Sequence, residues 1–368
     1  MSDKELISKE TLQKLEETTK KIIEIKNHLR IGTTSLTPLN YSSEMEKFLK
    51  SNTYNPQYVY KEQTLIDYSS EIEELKIKIN NLEIPSDLKE HILELLEDLR
   101  NLYLTKLSIG KSDFSKNSHK LFDWGTDRLD ILLAKTSDVA FQIYISHKMQ
   151  NAQKIKERFE KVLDVYKLTS FKIRVDSFSS HIISAGYKTI GIGNSIQRYE
   201  CNVDRLIVHE IESHILQTEN IKRSPTSLSE LSKYGNQNLY AEGLAVYNEI
   251  ITRKITPSAY EMYYYRIKAV RLIHKSFREI YNSLLENLKP TRAFVMTYRV
   301  KRGMADTSLS GGFPKDACYL LGFHEIESLV NEGFPKKLLY VTKSPDLTTL
   351  LMKYNLIDTK NILIPKFY

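Results

Sequence analysis

VDRLIVHEIESH, residues 203–214, ends an apolar run with a histidine, a glutamate and a second histidine. These are the elements of H-E-x-x-H, in which one helix face presents both imidazoles to a zinc ion. Here, however, His209 and His214 stand five positions apart. An α-helix turns roughly 100° per residue, so a spacing of five separates side chains by about 140°, against about 40° for four. A shared metal therefore requires the helix to unwind, to widen into a π-bulge, or to end near His214, and π-bulges are frequent at functional sites. The competing reading is two ordinary histidines on a charged helix. Val203, Leu206, Ile207 and Val208 favour the first, since they would bury the helix and leave its histidine end facing a cleft.

Catalytic zinc usually keeps three protein ligands and one open position. The segment AEGLAVYNE (241–249) offers the third as Glu242, at the start of a second helical pattern. Gly243 beside it allows close backbone packing. Glu249 is the alternative ligand, because seven positions are two helical turns, and it also reads as a solvated glutamate. Glu210 adjoins a histidine and suits proton transfer from an activated water to a leaving amine. Glu212 reads either as a support for the site or as a surface carboxylate.

The rest of the chain sets the frame. Its 368 residues are 41% hydrophobic and 27% charged, the balance of a globular protein. No apolar run is long enough to span a bilayer, and the first residues lack the order of a secretory signal. Cys201 and Cys318 are too few for a disulfide framework and read as free thiols. The expected location is the cytoplasm. A net charge of +7 suits an acidic partner or reflects a Lys-rich composition. No zinc knuckle or dense Lys/Arg block points to nucleic acid.

Helical spacing predicts helices over 4–30, over 64–107 with a break at IPSD (84–87) and Ser86 as N-cap, and over 128–167. Residues 110–126 read as a loop-rich transition and 53–62 as extended. Short β-like runs follow in 170–178, 180–187 and 188–196, directly before the histidine helix. The fold class is thus α+β, helix-rich, with a small sheet preceding that helix. The expected organisation is an N-terminal helical region, 1–115, packed on a catalytic domain, 116–368.

HEIESH (209–214) and EGLA (242–245) together resemble the tyrosine/glutamate carboxypeptidases, which include the microtubule-associated tyrosine carboxypeptidases and bacterial proteins with a QEGLA motif. Five-residue spacing is that family's own H-E-x-x-x-H. Looser similarities lie in YNPQYVY (54–60), SAGYKTIGIG (184–193) and KRGMADTSLSGGFPKDACYLLG (301–322). Two departures bear on the pocket: Glu212 and Ser213 replace a frequent Gly-Thr, and Ala241 replaces the glutamine of QEGLA.

The resemblance implies one zinc per chain on His209, His214 and Glu242, with Glu210 as catalytic acid/base. It implies a zinc metallocarboxypeptidase acting on the C-terminal residue, aromatic such as tyrosine, or glutamate, of a peptide or protein whose tail is acidic. A terminal carboxylate needs cations or strong donors, and Arg299, Arg302, Lys315 and Tyr319 are the candidates. The IGIG run (190–193) reads either as an edge strand capturing extended substrate or as a structural hairpin. Two other classes stay open: a non-catalytic peptide-binding protein with this fold, and a metal-dependent oxidoreductase using two histidines and a carboxylate.

Overall fold

The computed structural model describes residues 7–32, 34–136, 146, 148–176, 183–185 and 189–368. The chain divides into two compact units that interleave along the sequence. One gathers Met1–Asp138, Leu231–Gln237 and Met262–Cys318; the other gathers Val139–Glu230, Asn238–Glu261 and Tyr319–Tyr368. The division of 1–115 from 116–368 remains a proposal about where the catalytic part begins.

The first unit is helical among its described residues. Lys9–Leu29 starts on Ser8, whose hydroxyl accepts the Thr11 N–H, and buries Leu15, Ile22, Ile25 and Leu29 on one stripe. It packs with Ser69–Asn80 and Ser86–Leu107, which bury Leu75, Ile79, Leu95 and Leu99. The break between those two helices falls where IPSD predicts it, but Pro85 is the N-cap and Ser86 the first helical residue. Proline's fixed φ suits entry into a helix, and Asp87 Oδ1 accepts the Leu88 N–H of the first turn. Residues 110–126, expected to be loop-rich, contain the helix Phe114–Leu121. Phe114, Ser118 and Leu121 lie on one face and are buried, and this packing outweighs a polar composition.

Later segments complete the unit. Phe48 meets Phe277, Tyr281 and Phe294 at ring-centroid distances of 4.8–5.3 Å. Residues 53–62, expected to be extended, form no strand; an isolated antiparallel bridge from Gln57 to Asp306 and the Tyr58 N–H to the Ala305 carbonyl at 2.7 Å hold them. The KRGMADTSLSGG stretch turns on Lys301, a fully buried lysine whose ammonium donates to the carbonyls of Ile273, Leu309 and Gly311. Burial pushes its pKa down to about 8. Gly303 follows with φ 91°, and a Cβ there would stand 2.1 Å from the Phe114 ring. Only glycine meets both demands.

The second unit holds the strands. β1 (Met149–Asn151) pairs antiparallel with β5 (Gln197–Tyr199). β2 (Lys172–Asp176), β4 (Thr189–Gly193) and β3 (Ile183–Ala185) form a second small sheet in that order. The α+β reading therefore holds, with strands placed just before the histidine helix. β4 runs parallel to β2 through five residue pairs and antiparallel to β3 through three. The IGIG run is thus a central strand with both edges paired, and the edge-capture reading is withdrawn. The helix expected over 128–167 is Thr126–Thr136 and Ala152–Val165, with β1 between them, while 137–145 and 147 lie outside the described residues. Asn151 caps the second of these through its side chain, an interruption that apolar spacing alone does not reveal.

Candidate metal centre

The histidine helix is three segments in one rod: α-helical Glu200–Leu206, π-helical Ile207–Ile215 and α-helical Leu216–Arg223. Of the three ways to bring His209 and His214 together, the chain takes the second. The widened bonding is visible at Leu216, whose N–H reaches the Ile211 carbonyl five residues back. Ser213 Oγ likewise donates to the Val208 carbonyl, again five back, at 2.8 Å. The two imidazole rings consequently meet edge to face, with centroids 4.9 Å apart. Val203, Ile207, Val208, Ile211 and Ile215 are buried and anchor the rod.

Glu242 comes from the next helix, Tyr234–Ile251, which is buried nearly all round from Ala241 to Glu249. Its Oε2 lies 3.5 Å from His209 Nε2 and 3.5 Å from His214 Nε2. Next to it, Gly243 sets how this helix packs against another neighbour. A Cβ built there would stand 2.2 Å from the Gly322 carbonyl carbon, so this helix crosses the helix Cys318–Asn331 backbone to backbone. Close packing through Gly243, expected from the sequence, is what the EGLA segment provides.

The donor set fits zinc. Nitrogen and oxygen ligands at about 2.0–2.2 Å from a tetrahedral ion lie roughly 3.3–3.5 Å from one another. The distances from Glu242 match that edge, and all three candidate ligand atoms lie within 4.8 Å of each other. His209, His214 and Glu242 are the one such group of three among the described residues.

Glu249 is neither a ligand in this arrangement nor solvated. It is fully buried, and its Oε1 lies 2.7 Å from His209 Nδ1 and 2.7 Å from Arg205 Nη1. A carboxylate behind a histidine fixes the ring's tautomer and leaves Nε2 free to face a metal. Two-turn spacing from Glu242 was the signal for it, but spacing alone could not say which nitrogen it would meet. Burial opposes charge on His209, yet Glu242 and Glu249 outweigh it and hold its pKa up to about 10. Burial likewise opposes ionisation of Glu242, and the two histidines overcome it, holding the carboxyl well below its usual range. For Glu249, burial is overcome by Arg205 and His209.

Glu210 is half-buried beside His209. Glu212 is half-buried and accepts the Tyr166 hydroxyl at 2.7 Å, so it is not a plain surface carboxylate; burial, the largest influence, raises its pKa. In the other unit, Arg299 and Arg302 are brought together on the buried Asp316, the Arg302 contact being 2.9 Å. Lys315 is half-buried on the adjoining turn Pro314–Ala317, and Tyr319, also half-buried, lies near the start of the Cys318–Asn331 helix. Sequence reasoning did not find Asp316; its position three residues after GGF carries no charge-pairing signal.

The fold and donor set define a helix-rich α+β chain with a three-ligand candidate metal centre. The chain belongs to the microtubule-associated tyrosine carboxypeptidase family, whose model matches residues 46–343. Microtubule-associated tyrosine carboxypeptidase 1 of Mus musculus is 26% identical over 306 residues, covering 79% of this chain and 56% of the relative. The proteins of the same name from Rattus norvegicus and Homo sapiens are each 33% identical over 130 residues, 34% of this chain and 27% of theirs. The chain thus spans about half the length of the mouse relative, and its matches to the other two cover about a quarter of theirs.

Proposed function

We propose that this chain is a zinc-dependent carboxypeptidase that removes the C-terminal residue, tyrosine-like or glutamate, from a peptide or protein with an acidic tail. The observation that carries the reading is the convergence of His209, His214 and Glu242, whose ligand atoms lie within 4.8 Å of one another with Glu242 Oε2 3.5 Å from each imidazole, and Glu210 next in sequence to the first histidine. One zinc per chain would be held by those three residues. When bound, zinc supplies Lewis acidity, polarising the scissile carbonyl and acidifying water. Glu210 takes the proton from the attacking water and returns it to the leaving amine. Glu249 holds the His209 ring through Nδ1, and Arg205 holds Glu249 ionised. The substrate's terminal carboxylate is assigned to Arg299, Arg302 and Lys315, with Tyr319. Asp316 pairs with both arginines and so holds their guanidinium groups side by side. The proposed location is the cytoplasm, and no helix among the described residues is long and apolar enough to cross a membrane.

The test is mass spectrometry of paired peptides with free and amidated C termini, incubated with zinc-loaded protein. Free peptides should lose one residue from the C terminus and amidated ones should stay whole. Glu210→Gln should keep its zinc and lose at least about 10²-fold in rate, the loss expected for a general base. Internal cuts would make the protein an endopeptidase. Bound zinc with no cleavage of any peptide would favour a non-catalytic peptide-binding protein.

A further inference from the structure

A π-helical run changes the bonding of its carbonyls, and where it returns to α-helix one carbonyl is passed over by the backbone amides. In this chain the Glu212 carbonyl, at that junction, receives the Tyr340 hydroxyl at 2.9 Å. Tyr340 is fully buried, and its oxygen in turn accepts from Asn248 Nδ2 at 2.7 Å. The second Asn248 N–H goes to Ser213 Oγ at 2.8 Å, and the Ser213 hydroxyl donates to the Val208 carbonyl. Asn248 Oδ1 is filled by the Tyr368 hydroxyl at 2.6 Å. Every polar atom of the Asn248 amide is used, and the residue is fully buried.

Two features make this more than core satisfaction. The bonds from Ser213 and Tyr340 land on Val208 and Glu212, carbonyls inside the widened segment that lie beside His209 and His214. Asn248 itself sits on the helix that supplies Glu242 and Glu249, directly before the latter. One side chain thus ties the five-residue turn to the helix carrying the third donor.

We propose that Tyr340 and Asn248 are positioning residues that hold the π-helical form of Ile207–Ile215 and so keep the two imidazoles in register with Glu242. The consequence for metal binding rests on the zinc reading above. Tyr340→Phe removes one oxygen, keeps the ring, and leaves both the Glu212 carbonyl and an Asn248 N–H without a partner. Thr348→Val is the control, since it removes an equally buried hydroxyl of the same unit that bonds within residues 342–348. Ser213→Ala is a milder second variant should Tyr340→Phe not fold.

Hydrogen exchange of the metal-free proteins and titration with cobalt(II), followed by its absorption, read the outcome. Exchange over Ile207–Ile215 should be at least tenfold faster in Tyr340→Phe than in Thr348→Val. Cobalt affinity should fall by about 10- to 100-fold with an altered spectrum, the range for lost support of ligands. The proposal is overturned if Tyr340→Phe and Ser213→Ala match the control in both measurements. It is equally overturned if exchange quickens while cobalt affinity and spectrum stay those of the wild type. Failure of the wild-type protein to take up cobalt would count against the zinc reading, and the exchange comparison, which needs no metal, would still decide whether the network holds the turn.

Discussion

Adding one methyl group at Gly243 should damage both the stability of the chain and its metal centre. The Cβ of Gly243→Ala would lie 2.2 Å from the Gly322 carbonyl carbon, 2.4 Å from its oxygen and 2.6 Å from its Cα, all backbone atoms. Carbon atoms rest about 3.5 Å apart or more, so the two helices must separate by roughly 1 Å. No side-chain rotation can relieve the clash. Overpacking of this kind costs about 1–3 kcal/mol, and a backbone-to-backbone contact belongs at the upper end. The functional loss should be larger than the stability loss suggests. Glu242 precedes Gly243, so a shift of the helix displaces the carboxylate relative to the two histidines it now meets at 3.5 Å. Metal sites tolerate only about 0.2 Å, and a misplacement near 1 Å costs about 10²-fold in rate. Urea unfolding measures the first effect; zinc content after gel filtration and peptide turnover measure the second. Gly322→Ala, whose Cβ would meet the Leu239 carbonyl oxygen at 2.0 Å, should behave alike. Wild-type stability and zinc content in Gly243→Ala would refute the reasoning.

Two further outcomes are expected. Glu249→Gln keeps the shape behind His209 but loses the negative charge; zinc affinity should fall about 10- to 100-fold in a competition titration, and an unchanged affinity would make Glu249 purely a packing residue. Asp316→Asn leaves Arg299 and Arg302 facing a neutral amide in a buried place, and should destabilise by about 3–5 kcal/mol in denaturant unfolding. Burial alone would raise the Asp316 pKa, but the guanidinium groups of Arg299 and Arg302 hold it well below the usual range. With the folded-state pKa depressed, this carboxylate's contribution is complete above its unfolded pKa of about 3.9 and fades as pH falls below it. The variant should therefore lack that part of the wild type's acid sensitivity, and parallel stability curves of the two proteins below pH 4 would contradict this.

How far the sequence spoke depended on whether the deciding physics was local. The five-residue spacing of His209 and His214 narrows the backbone to three forms, because helical phase is a property of neighbours along the chain. The bonds made to that turn by Asn248 and Tyr340 come from segments distant along the chain, and spacing within the turn does not reveal them. Glu242 was readable from its motif and its glycine, whereas Glu249's role depends on which ring nitrogen it meets across two helices. Phe114–Leu121 reads as a loop because serines, an asparagine and lysines outnumber its apolar residues, while three buried side chains decide its form. The centrality of β4 was hidden for a similar reason: a short run of Ile and Gly reads the same at an edge or in the middle, and only the partner strands settle it.

The interleaving of the two units has a consequence for synthesis. Tyr234 N–H bonds to Asp98, Lys26 reaches the Ser232 carbonyl, and Trp124 donates to the Pro314 carbonyl, so the early helices wait for partners made much later. At about 5–20 residues per second, a ribosome needs roughly ten to forty seconds to travel from Asp138 to Cys318, the span over which the first unit is completed. During that interval the apolar stripes of Lys9–Leu29 and Ser86–Leu107 are outside the tunnel without their full cover. Nascent chains of this protein should thus be long-lived clients for chaperones that bind exposed hydrophobic helices, and the second unit, which needs Tyr319–Tyr368, is completed only after the first.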